Sequence, residues 1–464
     1  MTHLRKEHRR GGRLLIALAS LLLLAPLPLV AQGTDATISG IVRNQAGQPL
    51  TGAFVELLNQ ATGFRASAMT TGGGEFTFSQ LPLGGPYVVG TSFLGYRPVE
   101  EGEILLSLGS RIRVEFQLLQ QVLDLEGVVV DAPRASTFDR FGASTRFGEE
   151  QLERLPVADR RFQDLASLSP LVGRGLTIAG SRPMSTDVRI DGVGGQMNNT
   201  GQTFAGPFTM TIEAIREFEI VTNEYDVTKG RQGGGMINAV TKSGTNDLSG
   251  SVFAYHRNND LTTTDFRGVQ PADFSLTQWG GSLGGPILRD RMHFFTAFDQ
   301  QLEDRPFFVL DLRTEQDEID QQITRVNLER MQRILEQNYG LPNGTQNFGE
   351  FSRQPVNTNW FGRVDWQLNP SHRLTLRHNY TMTDDNQGIG ADQARHFNES
   401  RGTAEVGSNG TLVSLRSTLS PSALNELKVQ HLTFTRNRIP NLNIPRGFVR
   451  VQSELPNGTN GNVQ

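Results

Sequence analysis

The sequence predicts an all-β protein with a mixed α/β unit at its centre: an N-terminal β-sandwich, the mixed unit, and an incomplete transmembrane β-barrel. Three observations carry this. Short apolar runs separated by glycine-bearing turns fill residues 37–119, brief helical and extended pieces alternate over 137–247, and from 248 onward apolar and polar residues alternate with a period of two. The 50 glycines, with many Ser, Thr, Asn and Gln between apolar stretches, favour turns and strands over helix bundles.

With 464 residues the chain has room for two or three domains. Its 44 Lys and Arg against 48 Asp and Glu leave a formal charge of -4, a balance that argues against a general nucleic-acid partner. The chain has no cysteine, which excludes thiol catalysis, disulfide exchange and Cys-based metal sites. Export stays open, because a large core or a closed barrel needs no disulfides.

At the N-terminus Arg5, Lys6, Arg9, Arg10 and Arg13 precede LLIALASLLLLAPLPLVA, a basic region followed by an apolar one. Residues 1–33 read as a signal peptide ending near Ala31 or Gly33, an uncleaved anchor being the alternative. No other segment has 18 consecutive apolar residues, so any further crossing of a membrane has to use β-strands.

The first domain is built from TISGIV, AFVELLN, FRASAMT, EFTFSQL, PYVVGTSF and RIRVEFQL, with Gly47, Gly52, Gly63, Gly72 to Gly74, Gly84 and Gly85 at or between their ends. In EFTFSQL, Phe76, Phe78 and Leu81 form an apolar face while Glu75, Thr77 and Ser79 face the other way. The set ISGIVRNQAGQPLTGAFVELLN, TTGGGEFTFSQLPLGGPYVV and FLGYRP resembles the carboxypeptidase-regulatory-like domain, a transthyretin-like sandwich, over residues 36–119. No peptidase follows from that name: the eight histidines are scattered and HExxH is absent, so no metal site is expected.

Residues 120–136, within QVLDLEGVVVDAPRAST, form a linker in which Leu125 and Val128 to Val130 can make a short exposed or edge strand. Its role is either a plain connection or a recognition strand that offers its backbone to an external partner.

Over 137–247, EEQLERLPV and RRFQDLASLSP form brief helices, the second stopped before Pro170. RGLTIAGSR and STDVRIDGVGG read as strand, turn and strand, and IEAIREFEIVTN as a turn or helix leading into a strand. GRQGGGMINAVTKSGTNDLSG then raises the question of a phosphate loop. A Walker A loop needs glycine immediately before its Lys and Ser or Thr, whereas Lys242 and Ser243 follow Thr241, so no nucleotide cofactor is expected. Gly233, Gly234 and Gly235 permit tight backbone geometry, Met236 to Val240 complete a strand, and KSGTN turns the chain toward the next unit. Asp187, Arg189, Asp191, Arg231 and Lys242 contain no pairing of nucleophile and base. They are expected to hold turns or make charged contacts inside a polar pore, and no catalytic residue is assigned.

LPVADRRFQDLASLSPLV, GRGLTIAGSR, DVRIDGVGG and IEAIREFEIVTNEYDVTKGRQGGGMINAVTKSGTN, in that order, resemble the plug domain of TonB-dependent outer-membrane receptors. The arrangement of regulatory-like domain, plug and barrel start resembles the Oar-like subgroup. The resemblance implies a non-enzymatic receptor in the Gram-negative outer membrane, in contact with its lipid, with the N-terminal domain in the periplasm. Its implied partners are a TonB-type periplasmic energy-coupling protein and an unknown bulky extracellular substrate. It makes Leu123, Asp124, Leu125, Glu126, Gly127, Val128, Val129 and Val130 the candidate coupling strand. Asp191, Gly192, Gly233, Gly234, Gly235, Lys242, Ser243 and Gly244 become the markers of the plug turn and of the boundary between plug and barrel.

In NWFGRVDWQL, Trp360, Gly362, Val364, Trp366 and Leu368 share one face, and Phe361, Arg363, Asp365 and Gln367 the other. In HRLTLRHNY, Leu374, Leu376, His378 and Tyr380 oppose Arg373, Thr375, Arg377 and Asn379. Arginines are costly against lipid, so these faces should point inward. SGSVFAYHR, LTQWGGSLGG, MHFFTAFDQ, GTLVSLRST and NELKVQHLTFTR are further strands, and GSLGGPILRDRMHFFTAFDQ resembles the early barrel hairpin of the same subgroup. The connections from Gln300 to Asn347 and from Thr383 to Gly410 read as outer loops, the first with a helix from about Glu318 to Glu336. Substrate contacts are expected near 191–206, 301–350 and 381–410.

About seven strands fit into 248–464, whereas the family implies a 22-stranded wall of at least about 220 strand residues. The expectation is a truncated or split receptor with an open, curved sheet that leaves an unpaired edge. The competing reading is an exported adhesion or carbohydrate-binding protein made of soluble sandwiches.

Overall fold

The computed structural model describes residues 36–120, 135–136, 144–154, 166–173, 177–180, 186–194, 210–222, 235–264, 273–339, 348–389, 397–420, 423–443 and 449–463. The leader, the coupling strand Leu123 to Val130, Arg231, Gly233 and Gly234 lie outside them.

The first unit contains β1 (Ala36–Asn44), β2 (Phe54–Asn59), β3 (Arg65–Met69), β4 (Glu75–Leu81), β5 (Gly84–Ser92), β6 (Val99–Leu106) and β7 (Arg111–Leu118). Two sheets face each other, one ordered β4-β1-β7 and extended by the two-residue β8 (Ala135–Ser136), the other β3-β2-β5-β6. Alternation decides the packing: Phe76, Phe78 and Leu81 of β4 enter the core with Val55, Leu57, Tyr87, Val89, Val114 and Phe116. The two sheets bring Gly40 of β1 so near β7 and β4 that a Cβ there would lie 2.1 Å from the Val114 carbonyl oxygen and 2.5 Å from the Phe76 ring.

The middle unit has a five-stranded sheet ordered β13-β12-β15-β14-β9. Its strands are β9 (Ser144–Phe147), β12 (Thr186–Ile190), β13 (Val193–Gly194), β14 (Ile215–Val221) and β15 (Gly235–Thr241), while β10 (Val172–Gly173) and β11 (Thr177–Ile178) form a separate short pair. The helix α1 (Glu149–Arg154) follows β9, and a single 3-10 turn, Ile212–Ala214, leads into β14. β15 lies parallel to β12 and antiparallel to β14, which makes the MINAV stretch the centre of the sheet.

The third unit is an open antiparallel sheet with the path β16 (Ser249–Asn258), β17 (Ser275–Leu288), β18 (Met292–Val309), β20 (Val356–Asn369), β21 (His372–Ile389), β22 (Gly402–Ser420) and β23 (Ala423–Pro440), with β19 (Gly349–Arg353) paired to β18. Among the described residues neither β16 nor β23 has a second neighbour, so the sheet does not close. The strands are longer than the sequence suggests. Residues 300–309 and 402–410, expected in loops, belong to β18 and β22, because β18 keeps pairing with β17 and β19, and β22 with β21 and β23. The long helix expected over 318–336 is two helices, α2 (Glu315–Gln321) and α3 (Arg325–Asn338). Gln322 takes φ 60°, and the Thr324 side chain accepts from the Asn327 N–H, so one helix ends and another is capped within three residues.

Those helices belong to a third small core, in which Leu310, Leu312, Ile323, Leu328 and Phe397 pack with Met331, Leu335, Phe348 and Val451. A terminal hairpin of β24 (Val451–Glu454) and β25 (Asn460–Val463) is tied to α3 by the Asn327 amide, which donates to Ser453 Oγ at 2.9 Å and to the Gln452 carbonyl at 3.2 Å.

Gly40→Val should separate β1 from β7 and abolish a stable sandwich while leaving the sheet of β16 to β23 in place. Limited proteolysis of the full chain checks this; an intact, protected segment 36–119 would count against it.

Candidate functional site between plug and wall

The wall presents two chemically opposite faces. Trp279, Trp360, Trp366, Leu376, Val413, Leu427 and Val429 are exposed on the outer face, while Gln278, Asp299, Asn359, Asp365, Arg377, Asn379, Thr381 and Ser408 are buried on the inner one. A soluble sheet places its apolar face inward; this one does the reverse. The middle unit lies against the inner face, and its core, including Val188, Ile190, Ile215, Phe218, Ile220, Ile237 and Ala239, continues into Phe295, Ala297 and Phe361 of the wall.

At the edge of that shared core sits Asp191, in the turn between β12 and β13 with φ 51°. Aspartate tolerates this left-handed conformation better than most residues, and Gly192 follows it at φ 77°. The turn aims the carboxylate back at β15, where Oδ1 accepts from the Thr241 N–H at 2.9 Å and Oδ2 from the Thr241 hydroxyl at 3.0 Å. Arg377 of β21 approaches from the wall, its Nη1 donating to Asp191 Oδ2 at 2.6 Å and to the Ile190 carbonyl at 3.1 Å. Arg363 of β20 donates to Thr241 Oγ1 at 2.8 Å and lies 3.9 Å from Asp191.

Arg363 is itself held by Asp365, through bonds of 2.7 and 3.0 Å, and Asp365 also accepts from Arg373 at 2.9 Å and from Thr375 at 2.7 Å. The chain of charges thus runs from wall to plug. Burial opposes ionisation of Asp191, but Arg377, Arg363 and the Thr241 N–H outweigh it and hold the carboxyl below its ordinary value.

Secondary contacts reinforce the seat. Glu213 accepts from Ser251 of β16 at 2.9 Å, and Thr211 donates to Asp299 of β18 at 3.4 Å, where Gln278 also donates at 2.8 Å. Lys242 pairs with Glu149 of α1 at 3.0 Å, a tie within the plug unit. Ser243 and Gly244 border a cleft shared with Pro82 of the sandwich and Asp290 and His293 of the wall. A Cβ on Gly244 would lie 2.1 Å from the Phe294 carbonyl oxygen, so the boundary turn passes the wall at a distance only glycine allows. Gly235 begins β15, a strand's length of roughly 23 Å before this turn. Asp187 and Arg189 pair with each other at 2.8 Å.

The structure therefore gathers Asp191 with Thr241 and leaves Lys242 to a separate contact. Arg363, Asp365 and Arg377 were visible in the sequence as an inward face, but their partner was not. Arg146, which pairs with Glu217 at 2.9 Å and lies 3.5 Å from Glu219, carried no signal in the sequence.

Comparison with known proteins agrees with this geometry. A carboxypeptidase regulatory-like domain model matches residues 37–119, and an outer membrane beta barrel domain model matches 240–306. The TonB-dependent transporter Oar of Myxococcus xanthus is 28% identical over 284 residues, covering 57% of this chain and 26% of its own length. The chain thus spans about a quarter of that relative. Solved structures include the siderophore receptor PirA of Pseudomonas aeruginosa, 15% identical with a TM-score of 0.42 over 65% of this chain and 42% of that one. Another is a ferric enterobactin receptor variant of the same organism, crystallised with enterobactin, 14% identical with a TM-score of 0.46 over 64% and 41%. The structural likenesses are too loose to add to the sequence matches.

The open sheet with a second unit on its polar face and these sequence matches make the chain similar to outer-membrane receptors of the plug-and-barrel class. Among them the sequence match is to an Oar-type, TonB-dependent transporter.

Asp191→Asn should leave the buried Arg377 guanidinium without its anion and cost on the order of 3–5 kcal/mol. The expected readout is plug release, seen as protease sensitivity of residues 186–241, at a lower denaturant concentration. Because the Asp191 carboxyl is held below its ordinary value, its stabilisation is complete above the unfolded-state pKa and disappears only as pH falls through the lower folded one. At about pH 4, where a free aspartate is half protonated, plug protection should therefore persist, and a parallel loss already at that pH in wild type would contradict the assignment.

Proposed function

We propose that this chain is the N-terminal portion of a transporter that binds a bulky substrate at the cell surface and admits it when the plug moves under energy supplied from the periplasm. The observation that carries the reading is the reversed wall: buried amides, hydroxyls and ion pairs inside, exposed Trp, Leu and Val outside, with the plug seated on the polar face. A soluble multidomain adhesin would have no use for arginines on alternating wall positions that reach Asp191 and Thr241 of a neighbouring unit.

In this reading residues 1–33 are the signal peptide, 36–119 the periplasmic sandwich, 120–136 the linker with the coupling strand, 137–247 the plug and 248–464 part of the wall. Leu123 to Val130 pair their backbone with a TonB-type protein, a strand addition that needs an accessible backbone more than any one side chain. Asp191 and Gly192 form the plug turn that meets the wall, and Gly233 to Gly235 with Lys242 to Gly244 form the boundary at which plug hands over to barrel. No step requires a cofactor or metal. Substrate contacts come from the plug tip near 191–206 and the outer loops near 301–350 and 381–410.

The absence of cysteine makes the test clean. Single substitutions Leu376→Cys and Val413→Cys on the outer face, and Asn379→Cys and Ser408→Cys on the inner face, are compared in outer-membrane fractions. The outer pair should react with a lipid-soluble maleimide and resist a charged one. Recovery of the chain as a soluble periplasmic protein, with all four positions equally open to the charged reagent, would overturn the transporter reading.

A further inference from the structure

We propose that the N-terminal sandwich is a shutter lodged on the periplasmic mouth of its own barrel and latched by Arg146.

The dock consists of three polar contacts. At the turn between β6 and β7, the Leu108 N–H donates to Glu217 Oε2 at 2.7 Å, and its carbonyl accepts from Arg146 Nη2. Arg146 Nε also meets Glu217 Oε1 at 2.9 Å, so one ion pair of the plug grips both backbone groups of a single sandwich residue. At the turn after β2, the Ala61 carbonyl accepts from the Asn246 N–H at 2.7 Å, while the Asn246 side chain bonds Asp290 at the β17–β18 turn. At the end of β4, the Gln80 carbonyl accepts from Arg416 of β22 at 3.4 Å. The contacts reach from the second strand of the wall path to the sixth, so the sandwich lies across the described mouth.

This dock is built to be reversible. Among the described residues the sandwich core contains no plug or wall residue, and the core shared by plug and wall contains no sandwich residue. Undocking therefore exposes neither core, and the polar groups it frees can be taken up by water, as in interfaces between domains that move.

The test is a disulfide between Ala61→Cys and Asn246→Cys, whose backbones are hydrogen-bonded in the docked state. In the full chain in outer-membrane fractions it should form on mild oxidation. Arg146→Gln should reduce its yield by roughly tenfold, and Arg146→Lys should restore part of it. Amide exchange of β15 is followed in the same variants, and its protection should persist while that of Leu108 is lost. No disulfide in the parent pair, or a yield indifferent to Arg146→Gln, overturns the shutter. Loss of β15 protection together with the disulfide overturns the latch, since Arg146 would then be holding the plug fold.

Discussion

Everything in the seat of the plug depends on one buried carboxylate being met from two directions. Apolar contacts between Phe361, Phe295 and the plug core supply attraction but little register, because they are non-directional. Asp191 supplies the register: its turn binds the last residue of β15, and its remaining acceptor capacity is filled by an arginine two strands into the wall. Such a pair is weak evidence of net stability, since desolvating two charges offsets much of their attraction. Its strength is positional. A plug displaced by a single residue step would take Asp191 away from the buried Arg377, while Arg363 would keep Asp365.

The same arrangement explains how polar residues line the inside of a wall whose outer face is apolar. Arg363 and Arg373 are balanced within the wall by Asp365, and Arg416 by Glu426, whereas Arg377 takes its anion, Asp191, from the plug. The wall therefore tolerates a wet interior when the plug shifts, and the energetic change is confined to the few groups that bridge the two units. The sandwich, with a separate core, adds a third body whose described contacts with the other two include hydrogen bonds from Leu108 and Gln80.

Much of this was legible in the sequence, and the reasons are physical. The period of two in NWFGRVDWQL and HRLTLRHNY placed Arg363 and Arg377 on one face, and the cost of arginine in lipid chose its direction. The strands of the sandwich were legible from alternation and the glycine turns between them, though not their order in the sheets, while Asp191 and Gly192 were marked as a turn by family resemblance. What stayed hidden were pairings between residues far apart in the chain. Nothing local in IREFEIV distinguishes Glu217 as the partner of Arg146, 71 positions earlier, and of the Leu108 N–H. Strand ends were misplaced for the same reason: 300–309 and 402–410 are polar enough for loops and become strands only because neighbours extend beside them. The break at Gln322 was missed because helical periodicity continues through it while the cap at Thr324 restarts the count.

The outer connections carry a core of their own, with Leu312, Ile323, Leu328 and Phe397 at its centre, and Arg401 lies 4.0 Å over the Phe307 ring beside it. Loops anchored in this way lose their conformational entropy when the chain folds, not when a ligand arrives. In the transporter reading proposed above, a molecule landing on these described residues would surrender little of its binding free energy to ordering them, so that capture there would be a meeting of preformed shapes, its speed set by diffusion and orientation.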